Sequence, residues 1–257
     1  MMALHPDFLR LPLAHRGLHD RAAGRIENAP ASFVAAIEAG FGIELDLQLS
    51  ADGQAMVFHD YELDRLTTET GAVSQRTAAE LGAIRLTDSD DCIPTLPEVL
   101  ALVAGRVPLL IELKDQSRTL GTDGIGPLET ATAAALQRYI GAVAVMSFNP
   151  HAVSAFAVHS PDTCIGLTTG GFAPKEYPNT PAERLSQLTD IADFDATGAS
   201  FVSHYVAELD APAIAALKSR GIPVLCWTVR SPEQEADARK VADNITFEGY
   251  PAPHSAP

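Results

Sequence analysis

Short apolar runs alternate with amphipathic, Ala-rich stretches along nearly the whole chain. Runs such as VPLLIEL (107–113) and AVAVMSF (142–148) are apolar almost throughout. That suits strands buried on both faces of a parallel sheet better than an alternating, half-solvated strand. Eight segments read as strands: 11–15, 42–47, 107–113, 142–147, 163–168, 200–204, 223–228 and 244–247. Between them, 31–39, 96–104, 127–140, 150–158, 180–188, 211–219 and 232–242 read as helices. Asn149-Pro150 and Ser231-Pro232 are helix starts: the polar side chain caps, and Pro loses an N–H that would have no partner there.

This alternation predicts an α/β fold, a (β/α)8 TIM barrel forming one catalytic domain over 1–257. A doubly wound open sheet is the competing layout. No GxGxxG follows the first strand, which removes the main sign of a dinucleotide-binding version.

One region breaks the rhythm. The segment LQLSADGQAMVFHD (47–60) carries Asp52-Gly53 between alternating apolar residues, a hairpin signal. The hairpin is expected to rise above the barrel and return His59 to the end of the second strand. With it, residues from about 48 to 95 read as a small inserted subdomain with a core of its own. The Gly- and Pro-rich stretch 170–181 reads as a long loop over one mouth of the barrel.

Composition narrows the partners. Of 257 residues, 46% are hydrophobic, and 33 acidic against 18 basic residues give a net charge of −15. Such a chain repels phosphate backbones and anionic membranes, so nucleic-acid binding and stable membrane association are not expected. A phosphate-bearing small molecule would need local cations. Cys92, Cys164 and Cys226 are too scattered for a disulfide framework or a thiolate zinc site, and read as buried apolar residues. The N-terminus lacks a signal-peptide pattern and no run is long enough to span a membrane, which points to a cytoplasmic enzyme. Only the last eight residues are polar enough to read as disordered. Oligomeric state is not legible.

In such a barrel, chemistry gathers at the C-terminal ends of the strands. The first strand delivers His15 and Arg16, the second Glu44 and Asp46, the hairpin return His59 and Asp60, the third Glu112 and Lys114. The later strands deliver Ser147, Phe148, His204 and Trp227. Glu44 and Asp46 are two apart, so both side chains leave the strand on one side. With Glu112 they make an all-oxygen set suited to a hard divalent cation, Mg²⁺, Ca²⁺ or Mn²⁺. The alternative is a structural network with Arg16 and Lys114. His15 and His59 suit a general acid and base near neutral pH, or else one is a ligand or core residue. Arg16 and Lys114 would complete an anion site or simply balance the carboxylates. Trp227 could wall a substrate's carbon skeleton or pack in the core, and His204 could line the pocket. His5, His19, His151, His159 and His254 read as surface or loop residues. Metal, paired His and paired cations describe phosphoryl chemistry better than peptide or glycoside hydrolysis.

These residues lie in segments similar to the glycerophosphodiester phosphodiesterase family. The matching pieces are AHRG (14–17), IENAPASFVAAIEAG (26–40), IELDLQLSADG (43–53), VFHDYELDRLT (57–67), IPTLPEVL (93–100), LLIELK (109–114), SFNP (147–150), GIPVLCWTV (221–229) and NITFEGYP (244–251). The resemblance implies the barrel with its insertion. It implies metal-dependent hydrolysis of glycerophosphodiesters, such as glycerophosphocholine or glycerophosphoethanolamine, to glycerol 3-phosphate and an alcohol. It also implies one divalent cation on Glu44, Asp46 and Glu112, an acid/base pair in His15 and His59, and phosphate binding by Arg16 and Lys114. Phe148 and Trp227 are expected to bind substrate, on the glycerol side. Two departures stand out. IENA replaces the family's PENT, leaving Asn28 as the expected cap of the first helix, and TFEGYP replaces the usual end of the last strand. A lysophospholipase D, a phosphatidylinositol phospholipase C relative, or an inactive metal-stabilised binding protein are the alternatives on the same barrel.

Overall fold

The computed structural model describes residues 2–254. Its strands are β1 Leu13–Ala14, β2 Gly42–Leu49, β3 Ala55–Val57, β4 Leu109–Leu113, β5 Val143–Ser147, β6 Cys164–Thr169, β7 Phe201–Tyr205, β8 Val224–Val229 and β9 Asn244–Phe247. All but β3 run parallel, in the order β1-β9-β8-β7-β6-β5-β4-β2, and a β1–β2 pairing closes the ring. The barrel expected from the alternation is present, and the open sheet is excluded.

Seven helices occupy the expected places, each end within about a turn: α2 Pro30–Glu38, α4 Leu96–Val103, α5 Pro127–Leu136, α6 Pro150–His159, α7 Ala182–Thr189, α9 Pro212–Ser219 and α10 Pro232–Ala238. The Asn149 side chain accepts from His151 N–H at 3.0 Å and the Ser231 hydroxyl from Gln234 N–H at 3.1 Å, so both are caps. Three short helices were not expected: α1 Asp7–Arg10, α3 Ala78–Leu81 and α8 Phe194–Thr197.

β1 is shorter than the 11–15 segment. Leu11 closes α1, Pro12 has no N–H for a ladder, and the chain turns after Ala14. Gly17 makes that turn at φ +81, and a Cβ there would lie 2.4 Å from the Ser32 hydroxyl. Glycine is therefore required on both counts.

Side chains alternate along each strand. Ile43, Leu45, Leu47, Ile111 and Val145 face the helices and join Phe33, Val99 and Phe156 in the outer core. Leu13, Leu110, Met146, Phe201 and Leu225 point inward and pack with Phe8 of α1, which plugs the lower end. Burying Phe8 contributes roughly 1.5–3 kcal/mol. Asn244 holds the plug by donating to the Phe8 and Leu11 carbonyls at 2.8 and 2.6 Å.

β3 pairs antiparallel with the upper part of β2, Leu47 opposite Val57, in the stretch of β2 that the short β1 leaves open. Met56, Phe58, Leu63, Leu66, Val73, Leu81, Leu86 and Ile93 then form a separate cluster beneath the insertion, with Ile26 and Ala29 at its base. Stretch 170–181 is irregular, as expected. The described part of the tail is not loose: Ala252 is buried, Tyr250 donates to Glu235 at 2.8 Å, and His254 stacks on Phe41 at 4.5 Å. Residues 255–257 lie outside the described residues. Cys164 and Cys226 are buried, whereas Cys92 is partly exposed. Among the described residues, no helix is long and apolar enough to cross a membrane.

Candidate active site

Register brings the acidic residues together. Asp46 on β2 pairs with Glu112 on β4, and Glu44 stands two residues below Asp46 on the same inward face. One carboxylate oxygen from each lies within 4.8 Å of the others, and all three residues are at most 5% exposed. Lys114 Nζ lies 2.7 Å from Asp46 Oδ1 and 2.5 Å from Glu112 Oε1. Arg16 Nε lies 3.3 Å from Asp46 Oδ2, its Nη1 is 2.7 Å from Glu27, and its backbone N–H donates to Glu44 Oε2 at 3.1 Å. The ion-pair network weighed against a metal site is thus present, but it is short of positive charge.

The shortage falls on Glu44. Burial, then the Asp46 and Glu112 carboxylates, push its carboxyl well above the ordinary range, and Arg16 and Lys114 do not offset this. Burial would raise Asp46 too, but Lys114, His59 and Arg16 hold it far below that range. Burial would neutralise Lys114, yet Asp46 and Glu112 keep its ammonium charged. Three convergent oxygen donors with a charge deficit fit a hard divalent cation.

Asn28 is not the helix cap it was expected to be. Ala29 occupies that position, and Asn28 sits at φ +57 with its side chain turned into the barrel. Its Nδ2 donates to Asp46 Oδ2 at 2.8 Å, and its Oδ1 accepts from Asp46 N–H at 3.2 Å. The amide fixes both the carboxylate and its backbone.

The two histidines flank this cluster, and each has an acid on Nδ1. His15 Nδ1 is 2.5 Å from Glu248 Oε2, and its Nε2 is 4.0 Å from Glu44. His59 Nδ1 is 2.7 Å from Asp60 Oδ1, and its carbonyl accepts from Gln48 Nε2 at 3.0 Å. Burial lowers the His15 pKa below its ordinary value, with Glu248 opposing. Arg65 clasps Asp60 at 2.6 Å and Glu27 at 2.7 Å, tying the His59 side to the Arg16 side. Sequence reasoning gave no role to Glu27, Asp60, Arg65 or Glu248. His19, read as peripheral, lies 3.5 Å from Glu248 Oε2.

Phe148 and Trp227 meet edge to face with centroids 5.3 Å apart, and the indole N–H donates to the Ser203 carbonyl at 3.0 Å. They border a cavity of about 310 Å³ with Tyr205 and Phe172. A larger one of about 660 Å³ runs from Glu112, Lys114 and His59 to the rim formed by the insertion and loop 170–181. His204 is not a lining residue. It is 2% exposed, its Nδ1 pairs with the Thr169 hydroxyl at 2.8 Å, and its Nε2 with the Glu208 carbonyl at 3.1 Å. Its strand parity sends it to the outer layer with its neighbour Cys226.

Known proteins place the chain further. A profile of the glycerophosphoryl diester phosphodiesterase family matches residues 15–244. The chain is 27% identical over 247 residues to YhdW of Bacillus subtilis, spanning 93% of this chain and 94% of that protein. It is 33% identical over 166 residues to a glycerophosphodiester phosphodiesterase of Caldanaerobacter subterraneus, spanning 61% and 65% of the two chains. Among solved structures, an Oleispira antarctica phosphodiesterase in complex with its product sn-glycerol 3-phosphate superposes with a TM-score of 0.72 at 23% identity, over 94% of both chains.

Proposed function

The chain belongs to the glycerophosphoryl diester phosphodiesterase family and is an enzyme of that class; on that premise we propose how its residues divide the work. It hydrolyses water-soluble glycerophosphodiesters in the cytoplasm to glycerol 3-phosphate and an alcohol. Glu44, Asp46 and Glu112 would hold one divalent cation, Mg²⁺, Ca²⁺ or Mn²⁺. Such an ion supplies Lewis-acid polarisation of a phosphoryl oxygen and neutralises the carboxylates.

Everything else falls to the chain's own groups. Arg16, backed by Glu27 and Asp46, presents a fork to the non-bridging phosphate oxygens, and Lys114 adds charge beside them. His15 and His59 carry the protons: one accepts from the attacking oxygen, the other donates to the leaving alkoxide. A carboxylate on each Nδ1 selects the tautomer and leaves Nε2 for the reaction. Glycerol lies against Phe148 and Trp227. The observation that carries this reading is the buried carboxylate trio flanked by two carboxylate-oriented imidazoles.

The test is glycerol 3-phosphate release from glycerophosphocholine by chelator-stripped protein, with each of the three ions added back. Restored turnover supports the reading. Full turnover in the stripped protein rules out the metal role, and no turnover with any ion or glycerophosphodiester rules out the activity.

A further inference from the structure

Glu27 and Asp60 each touch one member of the proposed machinery. Asp60 Oδ1 is 2.7 Å from His59 Nδ1, and Glu27 Oε1 accepts from Arg16 Nη1 at 2.7 Å. Among the described residues, that is the one side-chain hydrogen bond of Arg16; its Nε is buried without a hydrogen-bonded acceptor, 3.3 Å from Asp46. Where Glu27 points therefore decides where the Arg16 fork points.

Both carboxylates answer to a single side chain. Arg65 Nε donates to Asp60 Oδ2 at 2.6 Å, and its Nη2 to Asp60 Oδ1 at 3.0 Å. Its Nη1 donates to Glu27 Oε2 at 2.8 Å, and the same Nη2 to Glu27 Oε1 at 2.7 Å. Each acid is gripped by both of its oxygens, and all three guanidinium nitrogens are engaged. Nη2 is the junction: the two oxygens it binds are the ones that hold His59 and Arg16. A planar guanidinium presents two such forks on adjacent edges, and an ammonium of the same charge does not. Burial would raise Glu27, but its Arg65 and Arg16 partners bring it down to about 2. Burial would raise Asp60 too, and His59 and Arg65 hold it below the carboxylate range.

The clasp has firm ground on either side. Arg65 stands between Leu63 and Leu66, both buried in the cluster beneath the insertion. Glu27 precedes Asn28, whose N–H donates to the Arg16 carbonyl at 2.8 Å and whose side chain holds Asp46. The Arg65 side chain itself is 47% exposed, so a simple ion pair there would contribute little.

Building on the proposed function, we infer that Arg65 is a positioning residue for the reaction, its double fork setting the His59 imidazole and the Arg16 guanidinium in one frame. Its loss lets Asp60 turn the imidazole, which reads in kcat, and lets Glu27 release the Arg16 fork, which reads in KM. Positive charge alone at this place does not suffice.

The experiment measures kcat and KM for glycerophosphocholine in the wild type, Arg65→Lys, Arg65→Gln, His59→Ala and the His59→Ala/Arg65→Lys double variant, with circular dichroism on each. Arg65→Lys and Arg65→Gln should lower kcat/KM by about 10- to 100-fold, the scale of a slight misplacement of reacting groups, with kcat falling and KM rising. In the His59→Ala background, Arg65→Lys should lower kcat by no more than about threefold further, because the imidazole it positions is gone. Arg65→Lys keeps the charge and carries the test if Arg65→Gln fails to fold. Near-wild-type kcat in Arg65→Lys, losses in kcat that multiply fully in the double variant, or loss of the fold in Arg65→Lys each overturn the positioning role and leave the family activity standing. No turnover of any glycerophosphodiester by the wild type removes the proposed function, and the positioning role with it.

Discussion

Glu248 holds His15 from behind: its Oε2 is 2.5 Å from His15 Nδ1, and its Oε1 accepts from Arg230 Nε at 2.7 Å. Burial would raise the Glu248 carboxyl, but the His15 and His19 hydrogen bonds and the charges of His15 and Arg230 keep it far below the ordinary range. It is a permanent anion that sets the orientation of His15. Glu248→Gln should lower kcat by roughly 10- to 100-fold, the usual effect of losing an orienting partner, with KM little changed. Steady-state kinetics on a folded variant checks this, and wild-type kcat would remove Glu248 from the mechanism.

The histidine pair makes a sharper claim. His15→Ala and His59→Ala should each lose about 10²–10⁴ in turnover. Circular dichroism establishes that the variants are folded. Near-normal turnover in both would end the acid/base assignment.

Cation binding can be read without any substrate. If the proposed site of Glu44, Asp46 and Glu112 holds the ion, adding it should raise the thermal midpoint of stripped protein. At about a hundredfold excess over the dissociation constant, the gain is roughly 2.7 kcal/mol. Glu112→Gln should abolish the upward shift. A shift that persists in that variant would place the ion elsewhere.

Asn28→Ala tests the amide that fixes Asp46. It removes one donor from a buried carboxylate and the acceptor of a buried N–H. A loss of roughly 1–3 kcal/mol is expected from these unsatisfied groups. Urea unfolding reads it directly, and a loss below about 0.5 kcal/mol would mean the pair is dispensable.

His204 gives a pH signature. Burial depresses its pKa from 6.5 to about 4, with the Glu208 carbonyl opposing. The folded protein then resists a proton that the unfolded chain accepts. This contribution is complete above pH 6.5 and declines as pH falls toward about 4, with a slope of at most ~1.4 kcal/mol per pH unit. Unfolding free energies at pH 7 and pH 5.5 should differ by about 1 kcal/mol more in wild type than in His204→Gln. An equal pH dependence would refute the buried neutral histidine.

Much of the barrel is legible in the sequence because strands buried on both faces leave continuous apolar runs, and Asn or Ser before Pro marks the helix starts. The carboxylate trio is legible because charge inside such runs at a spacing of two is otherwise costly. What escaped depends on closure and local backbone. A closed barrel sets the last strand beside the first, but nothing near Glu248 in sequence shows that its side chain reaches His15, 233 residues away. Asn28 reads as a cap until its positive φ turns the side chain toward Asp46. His204 and Trp227 both lie at strand ends, and only the parity of each strand separates an outward residue from an inward one. The polar tail looked unstructured because no local pattern announces the groove over Phe41 and Phe247.

The short β1 and the hairpin it admits spread the candidate site over two hydrophobic clusters. His15 rides on the barrel wall, whereas His59 rides on a chain seated over the cluster of Met56, Phe58 and Leu63. The centre is therefore a seam rather than a single rigid cup. If the smaller cluster loosens on heating, His59 leaves while Glu44, Asp46 and Glu112 keep their places, and inactivation precedes the loss of far-ultraviolet dichroism.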